Sequence, residues 1–168
     1  WIFVAAPVVT LAAIVLAGDR IHPAFGDQAN GPKPLLSVKG RPIVDFVVRA
    51  LEQSNADRIF VSHDFGVDLC GALSPTQKTV LIQRTEGCTS LSEGLFHALR
   101  TAAAHYGVED LVRRRFLLVP CDIPQVTGES FDQLIRDAQC VDADVIFAIT
   151  PRLRLEERFP GKRFAGFF

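Results

Sequence analysis

Short, nearly continuous runs of apolar residues recur along the chain, and turn-forming segments separate them. Runs of about four to eight such residues, bounded by Gly, Pro, Asp or Asn, are typical of strands buried in a parallel sheet. The pattern predicts five strands: Leu11–Ala17, Arg58–Ser62, Thr79–Gln83, Phe116–Val119 and Asp144–Ile149.

Between these strands, apolar residues repeat with the period of an amphipathic helix. The repeat predicts helices over Pro42–Gln53, Ser90–His105 and Thr127–Gln139. Pro42 suits a first helical turn, and Ser90 with Glu93 forms a capping box. The predicted core-facing residues are Ile43, Phe46, Val47, Ala50 and Leu51, then Leu91, Leu95, Ala98, Leu99, Ala102 and Ala103, then Phe131, Leu134, Ile135 and Ala138. The predicted solvent face of the first helix carries Asp45, Arg49 and Glu52.

Strands that alternate with helices predict an α/β fold of the three-layer, Rossmann-like kind, with a mostly parallel sheet and helices on both faces. Ligands of such sheets bind beyond the carboxyl ends of the strands, so the residues that follow each strand are the candidates for chemistry. A length of 168 residues is typical of one domain. We expect 11–168 to form that domain, truncated at its C-terminus after the apolar ending Phe164–Phe168.

The first 18 residues carry no charge, and a run of that length is close to the lower limit for a membrane span. Pro7 and Thr10 interrupt the run, no basic residue precedes it, and it shows no clear cleavage site. We therefore predict a buried strand over Leu11–Ala17, preceded by an apolar extension, 1–10, of unknown role. A membrane anchor or signal segment is the alternative, and no membrane partner is expected.

Composition narrows the function classes. The chain has 18 Lys and Arg against 19 Asp and Glu, a formal net charge of −1. Such a chain lacks the positive charge that non-specific nucleic-acid binding requires, so no nucleic-acid partner is expected. Cys70, Cys88, Cys121 and Cys140 show no metal-ligand spacing, and we predict small buried residues of a reducing compartment.

Two segments could bind phosphate and metal at the carboxyl ends of strands. Gly18 follows the first strand, where backbone N–H groups could approach a phosphate, and Arg20 and Lys33 would add positive charge. An ordinary surface loop explains these residues equally well. Asp122 follows the Phe116–Val119 strand, where one carboxylate could hold Mg²⁺ together with substrate phosphates. Taken alone, Asp122 is more simply a turn residue that bonds its own backbone.

Three further polar segments have simple structural interpretations. Amides and hydroxyls of Arg84–Glu93 could bind a ribose or base edge, although helix capping also explains the end of this segment. The charged run Glu156–Arg163 could bind phosphate, but a solvated turn explains it better. Arg113–Arg115 is predicted to be a solvated group at the start of a strand.

Taken together, these segments resemble the NTP transferase family that includes the molybdenum-cofactor guanylyltransferase (MobA-like) and the sugar-phosphate nucleotidylyltransferases. The matching stretches are Leu11–Gly18 (LAAIVLAG), Pro32–Pro42 (PKPLLSVKGRP), Gly87–Leu95 (GCTSLSEGL) and Leu117–Pro124 (LLVPCDIP). They occur in the family's order and spread over most of the chain. The stretch Arg158–Arg163 resembles a MobA-like subgroup.

The resemblance implies a cytoplasmic, Mg²⁺-dependent nucleotidyltransferase, in which an NTP and a phosphorylated small-molecule acceptor give a nucleotidyl product and pyrophosphate. Lys33 and Arg20 would stabilise charge on the phosphates during in-line attack, and Asp122 would hold Mg²⁺. The residues that match nucleotide-binding positions of the family are Leu16, Ala17, Gly18, Lys33, Gly87 and Ser90. The base, the acceptor and the oligomeric state stay open.

The chain departs from the family pattern at two places. Where the family has a second glycine and then an arginine, Gly18 is followed by Asp19 and Arg20. The second metal-binding carboxylate has no match, because Asp142 precedes a predicted strand and Asp144 begins it, whereas the family residue follows a strand.

These departures favour one alternative, a nucleotide-binding or regulatory domain of the same fold without turnover. A glycosyltransferase that uses a sugar nucleotide is another, although Cys121, Asp122 and Ile123 stand where such enzymes usually carry D-x-D. A dehydrogenase is disfavoured because the dinucleotide-binding glycine fingerprint is missing from the sequence.

Overall fold

The computed structural model describes residues 11–18, 31–74, 76–86, 88, 90–111, 114–148, 152–158 and 160–161. Internal contacts divide the chain into two units, 1–132 and 133–168. The interpretations of 1–10, Arg20 and Gly87 concern residues outside those described. Within the described ranges, no helix is both long and apolar enough to cross a membrane.

The predicted strands and helices of the first unit are confirmed to within one residue at each end. The elements are β1 (Leu11–Ala17), β2 (Ser37–Val38), β3 (Arg41–Pro42), α1 (Ile43–Glu52), β4 (Arg58–His63), β5 (Thr79–Gln83), α2 (Leu91–Tyr106), α3 (Val108–Leu111), β6 (Arg115–Pro120) and α4 (Gly128–Gln139). α4 continues into the second unit, which also contains α5 (Arg152–Arg158). A 3₁₀ turn, Lys33–Leu35, precedes β2.

The main sheet has four parallel strands in the order β5-β4-β1-β6. β1 lies in its interior, and Ala12, Ala13, Ile14 and Val15 are fully buried. A strand with neighbours on both sides and helices on both faces has no solvent side, which explains why the β1 sequence is continuously apolar.

The two faces of the sheet carry separate apolar clusters. Ala13 and Val15 of β1 pack in the cluster that contains the buried side of α1 and Phe131 of α4. Ile14 points to the opposite face and packs with Phe60 of β4 and the buried side of α2. The predicted three-layer α/β fold, with helices on both faces, is therefore confirmed.

The predicted solvent face of α1 is wrong at Asp45. This carboxylate is 1% exposed, and Val44 and Val48 are buried as well. The segment after β4 covers this side of α1, and Asp45 accepts hydrogen bonds from the backbone N–H (2.8 Å) and hydroxyl (3.3 Å) of Ser74. The Arg41 Nε atom lies 3.5 Å from the same carboxylate. Because it is hydrogen-bonded and paired, a carboxylate is tolerated in this buried position.

The predicted buried face of α2 is correct along most of the helix and wrong at its start. Ala98 and Ala102 are fully buried, whereas Leu91 is 70% exposed. The Ser62 hydroxyl, near the end of β4, donates to the Gly94 carbonyl (3.3 Å). The turn before Gly94 therefore extends past the strands, where the sheet offers Leu91 nothing to pack against.

Arg114 pairs with Asp57 at the end of the sheet where the parallel strands begin, which we call the amino edge. The Arg114 Nη1 atom lies 2.7 Å from Asp57 Oδ2. The Arg114 guanidinium also lies 3.6 Å from the ring centre of Tyr106, whose hydroxyl donates to Asp57 (3.4 Å). The Arg114 side chain is only 12% exposed. The prediction that Arg113–Arg115 is solvated is thus wrong for Arg114 and holds for the exposed Arg115.

The second unit departs most from the sequence prediction. Asp144–Ala148, the described part of the predicted strand Asp144–Ile149, is not a strand, and Val145 and Phe147 are 68% and 81% exposed. A strand needs a neighbour to satisfy its backbone, and the described residues of this unit provide none. α5 is a helix that the charged sequence did not predict.

The four cysteines are all free. Cys121 is buried as predicted and Cys88 is half-buried, but Cys70 and Cys140 are exposed. The prediction fails for these two because Cys70 lies in the segment after β4 and Cys140 follows the end of α4, so neither belongs to a strand of the core.

Candidate active site

Polar residues follow the carboxyl ends of three strands of the main sheet, and a glycine follows the fourth. Arg84 follows β5, Asp64 follows β4, Gly18 follows β1, and Asp122 comes two residues after β6. Because the strands are parallel, these positions lie together at the end of the sheet where the strands finish, which we call the carboxyl edge. The register of β1 and β6 places Gly18 and Asp122 two positions beyond their last paired residues, on neighbouring strands.

The structure brings two predicted site residues together. The Lys33 Nζ atom lies 2.6 Å from Asp122 Oδ2, and the two side chains are 27% and 39% exposed. The pair is therefore formed at the carboxyl edge and stays accessible from solvent. A ligand that reaches this edge meets a cation and a carboxylate side by side.

Local backbone structure explains why Lys33 lies at this edge. Lys33 begins the 3₁₀ turn, and Pro34 within that turn is buried. The Leu36 carbonyl accepts a hydrogen bond from the Ile43 N–H (2.8 Å) at the start of α1. β2 and β3 are joined by Lys39-Gly40, whose φ angles of 50° and 79° are typical of a tight hairpin turn. The segment that carries Lys33 is thus anchored to α1, an arrangement that helical periodicity did not predict.

The residue beside Asp122 is a buried thiol. Burial raises the pKa of Cys121 to about 11, and the positive charge of Lys33 only partly opposes this rise. The thiol therefore stays protonated near neutral pH. Chemistry that starts from a Cys121 thiolate is disfavoured, and the charged groups at this place are those of Lys33 and Asp122.

The side chains available as metal ligands determine how a divalent cation could bind. Among the described residues, no group of three or more His, Cys, Asp or Glu side chains is placed to hold a metal. Asp142 and Asp144 are exposed residues of the second unit, and neither follows a strand. Asp122 is a single, partly exposed carboxylate that already attracts a cation. This fits Mg²⁺, which commonly takes one or two carboxylates and completes its shell with water and substrate phosphates.

A second ion pair at the same edge was not predicted from the sequence. Arg84 Nη2 lies 2.7 Å from Asp64 Oδ1, and the Arg84 side chain is only 8% exposed. A Cβ atom on Gly18 would lie 3.2 Å from Arg84 Nη2, and one on Gly94 would lie 3.0 Å from Nη1. Both glycines therefore border the guanidinium. The available signal was an arginine directly after a predicted strand, the position at which parallel sheets place functional residues.

The remaining predicted site residues are placed as follows. Ala17 is buried and Leu16 half-buried, so their side chains pack in the fold and β1 offers a ligand mainly its backbone. The Ser90 hydroxyl accepts from the Glu93 N–H (3.2 Å), and the Ser90 N–H donates to the Glu93 carboxylate (3.0 Å), which confirms the capping box. Its capping role is shown, and a contact of Ser90 with nucleoside stays a prediction.

An open groove of about 420 Å³ lies near the ends of β4 and β5. His63 and Gln83 line it together with the segment from Gly66 to Cys70. His63 is 6% exposed. Burial lowers the pKa of its imidazole, which is therefore neutral at physiological pH. Nδ1 donates to the Asp64 carbonyl (3.2 Å), so Nε2 is the acceptor nitrogen.

Comparison with known proteins supports the fold described above. The chain is similar to a hypothetical transferase from Thermus thermophilus, with 25% identity and a TM-score of 0.61 over 92% of this chain and 57% of that one. It is also similar to a nucleotidyl transferase from Methanothermobacter thermautotrophicus (18% identity, TM-score 0.55, 76% of this chain and 57% of that one). A third similar structure is Rv0371c of Mycobacterium tuberculosis in complex with manganese (18% identity, TM-score 0.51, 79% and 61%).

The chain thus spans less than two thirds of the length of each of these proteins. A sequence profile of the MobA-like NTP transferase domain matches residues 13–157, which include most of β1, Lys33, Asp122 and all but the last residue of α5. With most of its length matched, the chain belongs to the MobA-like NTP transferase domain family.

Proposed function

We propose that this chain carries the nucleotide-binding part of a nucleotidyltransferase, which transfers a nucleotidyl group from an NTP to a phosphorylated small-molecule acceptor. The observation that carries the proposal is the Lys33–Asp122 pair at 2.6 Å, located at the carboxyl edge where β1 ends. A cation and a metal-binding carboxylate at one point of this edge are what a metal–triphosphate complex requires.

The proposed reaction is an in-line displacement at the α-phosphorus of the NTP. A phosphate oxygen of the acceptor forms a bond to this phosphorus, and the bond between the α-phosphorus and its oxygen bridge to the β-phosphorus breaks. Pyrophosphate leaves with the bonding electron pair. Catalysis of this kind depends on positioning and charge stabilisation, because the protein forms no covalent bond with the substrate.

Within this proposal, Lys33 donates hydrogen bonds to phosphate oxygens and stabilises the negative charge that builds up on them. Asp122 would hold Mg²⁺, which when bound neutralises phosphate charge and favours departure of pyrophosphate. The backbone around Gly18 would approach the triphosphate, as Leu16 and Ala17 contribute no free polar side chain. We further propose that Arg20 lies near the phosphates, and that Gly87 and Ser90 lie near the nucleoside.

The domain assignment belongs to the same proposal. Residues 11–168 are proposed as one nucleotidyltransferase-like domain, and 1–10 as an extension to it. Relatives are longer than this chain. The acceptor and the partner surfaces are therefore to be sought with the full-length protein.

A thermal-shift titration tests nucleotide binding. The chain is heated with each of the four NTPs, with and without Mg²⁺, and compared with Asp122→Asn. A ligand at 100 times its dissociation constant is expected to add about 2.7 kcal/mol of stability. We expect one NTP to give a Mg²⁺-dependent shift that Asp122→Asn loses. Pyrophosphate release with phosphorylated acceptors follows for the NTP that binds.

The matched control is Glu109→Gln, which removes an exposed carboxylate near the opposite end of the sheet. It should leave the shift unchanged. Binding without pyrophosphate release in the full-length protein would favour the regulatory domain. A shift with a sugar nucleotide but with no NTP would favour the glycosyltransferase, and no shift with either would contradict the proposal.

A further inference from the structure

Arg84 has an unusual environment for an arginine. Its side chain is 8% exposed, so its positive charge lies almost entirely within the protein. Asp64 provides the opposite charge at 2.7 Å, and the Arg84 backbone N–H donates to the His63 carbonyl (2.8 Å). The Arg84 Nε atom is buried and has no hydrogen-bond partner among the described residues. Burying a guanidinium in this way is costly, because removal from water is only partly offset by one ion pair.

The guanidinium lies where four elements of the site meet. It extends from the end of β5, pairs with Asp64 after β4, and lies against Gly18 after β1 and Gly94 in α2. A Cβ atom at Gly18 would come within 3.2 Å of Nη2 and 3.9 Å of Asp64 Oδ2, so the ion pair as a whole borders Gly18. Gly94 is still closer, because its Cβ would lie 3.0 Å from Nη1 and 3.2 Å from Cδ.

This contact gives a second reason for a glycine at position 18. The sequence attributed Gly18 to close approach of a phosphate, whereas the structure shows that a Cβ atom at this position would make a tight contact, 3.2 Å, with Arg84 Nη2. The same Gly18 backbone is proposed to approach the triphosphate. A group that fixes the position of Gly18 therefore acts on the nucleotide site without contacting the nucleotide.

Stability alone is a weak explanation for this arrangement. Replacing a buried ion pair by apolar side chains of similar volume is often neutral or stabilising. Phe60, Ile82 and Leu95 belong to the apolar cluster on the α2 side of the sheet, the side on which Arg84 borders Gly94. A planar, charged group in this position differs from an apolar one mainly in its directional contacts, which hold Asp64 and border two glycines at once.

We infer that Arg84 is a positioning residue of the proposed nucleotide site, which through its ion pair with Asp64 fixes the backbone at Gly18 and the first turn of α2. The inference rests on the proposed function. Arg84 itself does not contact the substrate in this proposal. Loss of the guanidinium should disturb the geometry of the carboxyl edge more than it lowers overall stability.

The test compares Arg84→Met with Arg114→Met. Both variants remove the arginine of a 2.7 Å Arg–Asp pair, one at each edge of the same sheet. The first measurement needs no ligand. Amide exchange is followed at Glu93 and Gly94, whose N–H groups donate to Ser90. We expect exchange at these two amides to accelerate in Arg84→Met and to stay unchanged in Arg114→Met after correction for global stability.

The second measurement is the dissociation constant of the Mg²⁺–NTP complex identified by thermal shift. Displacing groups at an active site by about 1 Å can cost on the order of a hundredfold, so a tenfold or larger loss of affinity is expected for Arg84→Met. Arg84→Lys keeps the charge but not the planar fork, and should recover only part of the affinity. Guanidinium ion at low, non-denaturing concentration should partly restore binding to Arg84→Ala and leave Arg114→Ala unaffected.

The outcomes separate the inference from the function on which it rests. If the unaltered chain binds no NTP, the proposed function is wrong and so is this inference. Normal NTP binding by Arg84→Met, or unchanged amide exchange at the start of α2, overturns the inference and leaves the proposed function intact. Equal losses in Arg84→Met and Arg114→Met would also overturn it, because they would indicate a general effect of stability.

Discussion

The two edges of the main sheet use the same chemical pair for different purposes. Each edge has a mostly buried arginine that contacts an aspartate at 2.7 Å, Arg84 with Asp64 at the carboxyl edge and Arg114 with Asp57 at the amino edge. At the amino edge, Arg114 stacks on Tyr106, and the phenol also bonds the carboxylate. The guanidinium, the phenol and the carboxylate thus contact one another, which is typical of a structural contact.

The carboxyl edge is built from different neighbours. Two glycines border Arg84, and the adjacent Lys33–Asp122 pair remains more than a quarter exposed on both sides. Glycine and partly exposed charges provide little packing energy but leave room and charge for a ligand. The comparison teaches that an ion pair by itself does not mark a functional site, whereas its surroundings do.

The largest expected difference between the edges concerns catalysis. Lys33→Met removes the cation at the carboxyl edge, and the loss of one group that stabilises transition-state charge typically lowers kcat by about 10²–10³-fold. The measurement is the rate of pyrophosphate release by the full-length protein. Lys39→Asn, in the exposed hairpin turn between β2 and β3, is the control and should keep full activity. Full activity of Lys33→Met would remove Lys33 from the site.

The next largest effect concerns the stability that the amino edge provides. Arg114→Met leaves Asp57 without its ion-pair partner and removes the stacking on Tyr106, so we expect a loss of about 2 kcal/mol in the free energy of unfolding. Urea denaturation measures this loss. Nucleotide affinity should not change, and a large change would show that the two edges are not independent.

A smaller effect separates the two roles considered for Ser90. Ser90→Ala removes the hydroxyl that caps α2, and the loss of such a cap typically costs about 1 kcal/mol. Ser90→Asp keeps a capping oxygen and should retain most of the stability. If Ser90→Asp is stable but binds the NTP less tightly, the serine also faces the nucleoside. Unchanged affinity in both variants would restrict it to capping.

The last effect, which appears only at high pH, is a change of protonation at the amino edge. Burial, and then the negative charge of Asp57, raise the pKa of Tyr106 from 10.0 to about 12. The folded state therefore holds the phenolic proton more tightly than the unfolded state. This contribution to stability is complete below pH 10 and disappears as the pH rises towards 12.

The chain has one tyrosine, so absorbance of the phenolate near 295 nm reports Tyr106 alone. We expect its midpoint in the folded protein close to pH 12. Arg114→Met should raise the midpoint further, because the guanidinium charge lowers this pKa. A midpoint near the ordinary value would contradict the half-buried Tyr106–Asp57 contact.

The sequence predicted the layers of the first unit because their signals are local. A continuously apolar β1, the capping box at Ser90 and the period of α1 each depend on a few neighbouring residues. Burial of Asp45 could not be predicted in this way, since the residues that cover it follow β4. The strand predicted at Asp144–Ile149 failed for a related reason, because an apolar sequence does not supply its own pairing partner.

The same distinction between local signals and contacts of distant residues applies to the candidate site. Lys33 and Asp122 were each singled out by type and position, and the structure adds that they form a pair. Arg84 began a candidate segment, Arg84–Glu93, but its pairing with Asp64 was missed because Asp64 belongs to no motif. Their relation to Gly18 depends on the order of β5, β4 and β1 in the sheet, which the sequence of strands along the chain does not specify.

The central claim is that the carboxyl edge binds a metal–nucleotide complex and the amino edge does not. Backbone amide chemical shifts, followed by NMR while the Mg²⁺–NTP complex selected by thermal shift is added, test it directly. We predict that the amides of Gly18, Lys33 and Asp122 shift with a common dissociation constant, whereas those of Asp57 and Arg114 do not. Shifts concentrated at Asp57 and Arg114, or no shift at Lys33 and Asp122, would contradict the account.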